Sequence, residues 1–227
     1  MSACALCSSI AFAALPQAAS AAAATSTSPA PEVLVPNVVF YYQTHNLDCE
    51  EAAVSMALTH QGIVLDQDDI LRAIGANKAP VHVDPDGRMR WGDPYVSFVG
   101  SVDGFEFKDT GYGASYPPLM KVARAHGAKI LRAGPMTVDS VYSYLWSAHP
   151  VVVWATWDWK WHDRNDYLAF DGRWIPWIGP YDAHVYTVVG IRPDAVLVDD
   201  PLRGRYWVPT SAFEAAYSDF MEAIAFE

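Results

Sequence analysis

The segment His184-Val185-Tyr186-Thr187-Val188-Val189-Gly190 and its sequel restrict the fold more than any other part of this chain. It is followed by Arg192-Pro193-Asp194 and then Ala195-Val196-Leu197-Val198-Asp199. Two β-rich runs around a Pro-Asp turn predict an antiparallel hairpin. Side chains opposite one another on such a ladder are neighbours, so His184 at one strand start meets an Asp at the end of the next. The uninterrupted apolar run Val151 to Thr156 predicts a further, buried strand.

The second feature is Cys49, the only cysteine beyond the first ten residues. It stands where the turn-like Asn46-Leu47-Asp48 gives way to Glu50-Glu51-Ala52-Ala53-Val54-Ser55-Met56-Ala57-Leu58. Apolar residues at 52, 53, 56 and 57 share one helical face, and Gly62 marks the stop. A thiol in the first turn of a helix feels the positive end of the helix dipole, which favours the nucleophilic thiolate. Asp48, Glu50 and Glu51 add negative charge that opposes thiolate formation. Gln43, six residues upstream, carries an amide able to donate to an oxyanion.

The remaining elements follow from breakers and caps. Val38 to Tyr42 predicts a short strand delivering Gln43, and Asp66 opens a helix that Gly75 stops. Lys78 to Tyr116 has no clear period and is rich in Gly, Pro, Asp and aromatics, which suits a wall of a substrate cleft. Pro117-Pro118 begins a helix to His126, Ala128 to Leu131 forms a short strand, and Thr137 caps a helix over 138–148. Trp157, Trp159, Trp161, Trp174 and Trp177 flank a turn at Asp171-Gly172. An aromatic-lined inner face and a binding surface account for that pattern about equally, with a hairpin overhanging the cleft preferred. A strand at Tyr206 to Val208, a helix from Ser211 to Phe220 and an edge strand at Glu222 to Phe226 complete the chain, giving an α+β fold class.

With 227 residues, 52% of them hydrophobic, the chain has material for one domain with a substantial core. A net charge of -11 argues against nucleic acid, whose binding relies on clustered Lys and Arg. The first 21 residues are apolar and end in a small-residue Ala19-Ser20-Ala21 site, predicting a signal peptide, although no basic residue precedes the apolar run. An Ala/Ser/Thr/Pro linker over 22–36 follows, and the localisation expected is secreted or cell-surface. Cys4 and Cys7 lie inside the signal-like segment, so Cys49 is left as a lone candidate reactive thiol. No later stretch is long and apolar enough to span a bilayer. His162, Asp163 and Asp166 match no defined metal spacing, His45 is expected on a loop surface, and no metal or cofactor is expected.

Gln43 with five residues before Cys49, the helix opening Cys49-Glu50-Glu51-Ala52-Ala53, the His184 strand, and Val198-Asp199-Asp200-Pro201 before Gly204 form one ordered set. In these motifs the chain resembles the papain-like cysteine peptidases of the bacteriocin-processing, double-glycine leader type, over roughly residues 38–220. The resemblance implies a papain-like fold with N-terminal helices packed on a C-terminal antiparallel sheet. It implies Cys49 as nucleophile, His184 as base, Asp200 as orienting acid with Asp199 its competitor, and Gln43 with the Cys49 amide as oxyanion hole. The expected partner is a peptide or protein substrate. A catalytically inactive peptide-binding relative, and a cell-wall amidase or transpeptidase with the same triad, are the alternatives. The presence of all four polar site residues weighs against the inactive relative.

Overall fold

The computed structural model describes residues 31–177 and 183–227. The expected signal peptide, Cys4, Cys7 and the linker as far as residue 30 lie outside the described residues. Strand β1 (Val33–Leu34) leads through an extended segment to α1 (Cys49–Thr59) and α2 (Gln67–Ile74). Five short strands follow: β2 (Ala76–Asn77), β3 (His82–Val83), β4 (Met89–Trp91), β5 (Phe98–Gly100) and β6 (Gly111–Gly113). Next come α3 (Tyr116–Ala125), β7 (Ile130–Pro135), α4 (Val138–Trp146), β8 (Val151–Thr156), β9 (Tyr167–Ala169) and β10 (Trp174–Ile175). The chain closes with β11 (Ala183–Arg192), β12 (Ala195–Asp200), β13 (Gly204–Pro209), α5 (Thr210–Tyr217) and β14 (Glu222–Phe226).

The main sheet runs β13-β12-β11-β8-β14-β7, with β1 added against β11, and its pairings are antiparallel. Helices cover both of its faces, which is why β8 is buried at every position. Val152, Trp154, Val185, Ile224 and Phe226 pack with the N-terminal helices in one core. Val151, Val153, Ala155, Tyr186 and Val188 pack against α4 and α5 in another. Burial on both sides removes the usual alternation of polar and apolar positions. Helix α1 is buried along its whole length, as a helix clad on all sides must be. Thr187 Oγ1 ties it to β11 through the Ala53 carbonyl at 2.8 Å.

Local signals placed several boundaries. Asp66 caps α2 by accepting from the Asp68 amide, and Gly75 ends it with a positive φ of 69°. Thr137 caps α4 through Ser140. Two elements differ from expectation. Residues 38–42 form no strand: Val39 N–H donates to Thr59 Oγ1 (2.8 Å) and Gln43 N–H to the Pro201 carbonyl (3.0 Å). The segment is held extended by α1 and the β12–β13 loop, while the strand pairing goes to Val33–Leu34, inside the expected linker. Glu222–Phe226 is an interior strand, paired on both sides by β8 and β7, rather than an edge. The irregular stretch Lys78 to Tyr116 contributes β3, β4, β5 and β6 to two small sheets, β10-β9-β4-β3 and β2-β5-β6, around Trp91, Val99, Tyr167, Ala169 and Ile175. No helix among the described residues is long and apolar enough to cross a membrane.

Candidate active site

The site gathers at one end of the main sheet, where the start of α1 meets the start of β11. Cys49 is the first residue of α1 and is 7% exposed. The loop before it is tied by Asp48, whose carboxylate accepts from the Thr44 amide (3.1 Å), the Thr44 hydroxyl (2.9 Å) and the His45 amide (2.9 Å). His45 is no idle surface residue. Its two ring nitrogens reach Asp103 (2.8 Å) and Asp68 (2.9 Å), pinning the loop to α2 and to the β5–β6 connection.

His184 and Asp200 are brought together as buried neighbours, with Nε2 2.9 Å from Oδ1. The register explains the pairing. Thr187 lies opposite Asp199, so the next step sets Tyr186 opposite Asp200 and leaves His184 on the same face, diagonal to it. Asp199 points the other way and forms a fork with Arg205 Nε (2.5 Å) and Nη2 (2.7 Å). Burial alone would raise the Asp200 carboxyl. Hydrogen bonds from His184, the Tyr206 phenol (2.7 Å) and the Leu202 amide (2.8 Å) outweigh it and hold the group well below the usual carboxylate range. Arg203 Nε adds a 2.6 Å contact to Oδ2, and Nη2 donates to the Trp157 carbonyl (2.7 Å). Its guanidinium lies 4.2 Å over the Trp157 ring, which in turn stands edge-on to His184. Trp157 and Tyr186 thus box the imidazole.

The environment of Cys49 is acidic. Its thiol donates to Glu50 Oε2 at 3.3 Å, and the Val185 backbone amide donates towards the sulfur. Burial and the Glu50 charge push the thiol up, against the smaller opposing pull of the Val185 amide. The Val185 contact sets the sulfur one residue from His184, yet among the described residues thiol and imidazole share no direct hydrogen bond. With Nε2 bound to Asp200, Nδ1 is the ring nitrogen left to meet the thiol. Gln43 Nε2 donates to the carbonyls of His45 (2.8 Å) and Asn46 (2.9 Å), and its buried Oε1 has no partner among the described residues. Here the side chain closes its own loop.

A narrow cavity beside Glu50 is lined also by Tyr95, Tyr112, Ser115, Ala183 and Glu222, among others. Pro94, Tyr95, Tyr112, Ala114 and Ser115 of the irregular stretch line this cavity. Sequence reasoning missed Arg203, Tyr206 and Trp157 as supports of the His–Asp pair, and Glu50 as the partner of the thiol. Glu50 had a local signal as a charge next to Cys49, and Arg203 one as the residue three after Asp200 in a turn that Asp200 itself closes.

The family described as "Peptidase_C39 like family" matches residues 35–223. Among solved structures, one described as a "putative C39-like peptidase" from Bacillus anthracis is similar, with 23% identity and a TM-score of 0.73. The match covers 87% of this chain and 98% of that one, and at this identity it is a likeness of fold. No curated protein matches the chain.

Proposed function

Because this chain belongs to the peptidase C39-like family, we propose that it is an exported cysteine peptidase acting through Cys49, His184 and Asp200. The observation that carries the reading is the buried His184–Asp200 pair at 2.9 Å, with the Cys49 sulfur against the adjoining Val185 amide. Asp200 fixes the imidazole's orientation and supports the imidazolium that forms in turnover. His184 takes the thiol proton, the thiolate attacks the substrate carbonyl, and the imidazolium returns the proton to the leaving amine. Water then hydrolyses the thioester, with His184 again as base.

The oxyanion is assigned to the Cys49 amide, since the first amides of a helix have no acceptor within it. Gln43 is the second donor in this reading, once substrate replaces one of the two loop carbonyls it now holds. Asp200 is preferred to Asp199 because Asp199 is committed to Arg205. Export rests on the signal-like first 21 residues. The substrate class proposed is a peptide or protein.

The test is a degenerate peptide mixture incubated with the protein and read by mass spectrometry. Cleavage that vanishes in both Cys49→Ala and His184→Ala supports the peptidase. Cleavage that persists in Cys49→Ala removes it. Amine-transfer products in place of hydrolysis would favour the transpeptidase alternative.

A further inference from the structure

The side chain that engages the nucleophile is Glu50. Its Oε2 accepts the thiol at 3.3 Å and its Oε1 accepts the Ala114 amide at 2.8 Å. The seat is shaped for it: Gly113 has a φ of 123°, and a Cβ there would overlap Glu50 Oε1. Glu50 is buried, so its position next to the sulfur is not one exposed rotamer among many.

We propose that Glu50 is a latch on Cys49. Its carboxylate holds the thiol proton in the resting enzyme, and the thiolate forms readily only when Glu50 is neutral. The proposal rests on Cys49 being the nucleophile, and it assigns Glu50 as a positioning residue that sets the protonation state of that sulfur. The proton balance is simple. Glu50 takes one proton from solvent, losing its charge, and Cys49 gives its own to His184. The resulting thiolate then faces a carboxylic acid able to donate to it in place of a carboxylate that repels it.

The groups around Glu50 reinforce this behaviour. On its own element stand Cys49 and Glu51, with Asp48 just before them; both Glu51 carboxyl oxygens are buried without a partner among the described residues. From the β6 side come Tyr112 and the Ala114 amide. Across the cavity stands Glu222 of β14, bonded by the Tyr95 and Ser115 hydroxyls. From β11, Ala183 lines the cavity and His184 follows it. Among the described residues, no Lys or Arg lines this space to fix Glu50 as an anion. The cavity holds about 20 Å³, enough for a water molecule and so for proton exchange. Burial, outweighing the Ala114 and Cys49 hydrogen bonds, pushes Glu50 up to about 7, so the latch is set near neutrality.

The test is the pH profile of iodoacetamide alkylation at the Cys49 peptide in the full chain, wild type and Glu50→Gln, with circular dichroism to confirm folding. The wild-type midpoint is expected above the ordinary thiol value of about 8.5. Glu50→Gln is expected to react at least about tenfold faster at pH 7, the equivalent of one pKa unit, and His184→Ala in that background to cancel the gain. A merely structural Glu50 would change the melting temperature and leave the midpoint in place. Superimposed profiles overturn the latch, and so does a wild-type rate that is already at its plateau below pH 7. That second criterion decides the matter alone where Glu50→Gln does not fold. Peptide cleavage measured in parallel separates the two ideas. Cleavage with superimposed profiles removes the latch and leaves the peptidase, and a shifted profile without cleavage does the reverse.

Discussion

Two adjacent carboxylates, Asp199 and Asp200, have opposite fates because a strand turns successive side chains to opposite faces. Asp200 receives the imidazole, a phenol, a guanidinium and two backbone amides. Asp199 has Arg205. Asp200→Asn is therefore expected to lower kcat/KM for peptide cleavage by at least about a hundredfold, since the amide cannot support the imidazolium. Asp199→Asn is expected to stay within about threefold in activity and to lower the melting temperature by leaving Arg205 without its buried partner. Equal losses of activity in the two variants would contradict this assignment. Both aspartates were legible as candidates beside His184, but choosing between them needed the Thr187–Asp199 register. Glu50 was legible only as a charge near a thiol. Whether its carboxyl turns to the sulfur or to solvent depends on Gly113 and Ala114, more than sixty residues away.

At the scale of elements, those with local punctuation were readable and those defined by distant partners were not. Asp66 and Gly75 bracket α2, and the Pro-Asp turn predicts the β11–β12 hairpin, because caps and turns act over a few residues. The segment from Val38 has the composition of a strand, yet its backbone is claimed by Thr59 and Pro201. Strand β14 was recognised as a strand but placed at the edge; pairing with β8 and β7 sets it inside. Strand composition reports burial and pleat, not neighbours. The tight junction of β6 with α1 makes its own prediction. Gly113 and Gly172 both have positive φ, so an added Cβ strains each, but only at Gly113 would it strike a buried side chain. Gly113→Ala is expected to lower the melting temperature clearly more than Gly172→Ala, by displacing Glu50 as well as straining the backbone. Comparable losses would mean that Glu50 yields its seat freely.

For the whole molecule, the buried acids set the pH dependence of stability. Burial pushes Glu222 up to about 8 and Glu50 to about 7, and Glu51 is also raised. In the unfolded chain these groups titrate near 4.3, so between those values the native state holds protons that the unfolded state has lost. Their contribution is complete below the unfolded value and is lost as pH rises through 7 to 8, by up to about 1.4 kcal/mol per pH unit and group. Asp200, depressed in the fold, acts oppositely and costs stability as pH falls below the ordinary carboxylate range. The melting temperature is expected to be higher at pH 5.5 than at pH 8, and Glu222→Gln to shrink the difference. A melting temperature that rises over that interval would show the acids ionised in the fold. What the sequence by itself determined were the helices with their caps, the β11–β12 hairpin and the order of the polar residues from Gln43 to Asp200, since each is written in a few neighbouring side chains. Only the tertiary structure decided which carboxylate meets His184, where β14 lies, and that the thiol faces Glu50. Those contacts join segments far apart along the chain, and local propensity carries no information about which distant surface will cover a given side chain.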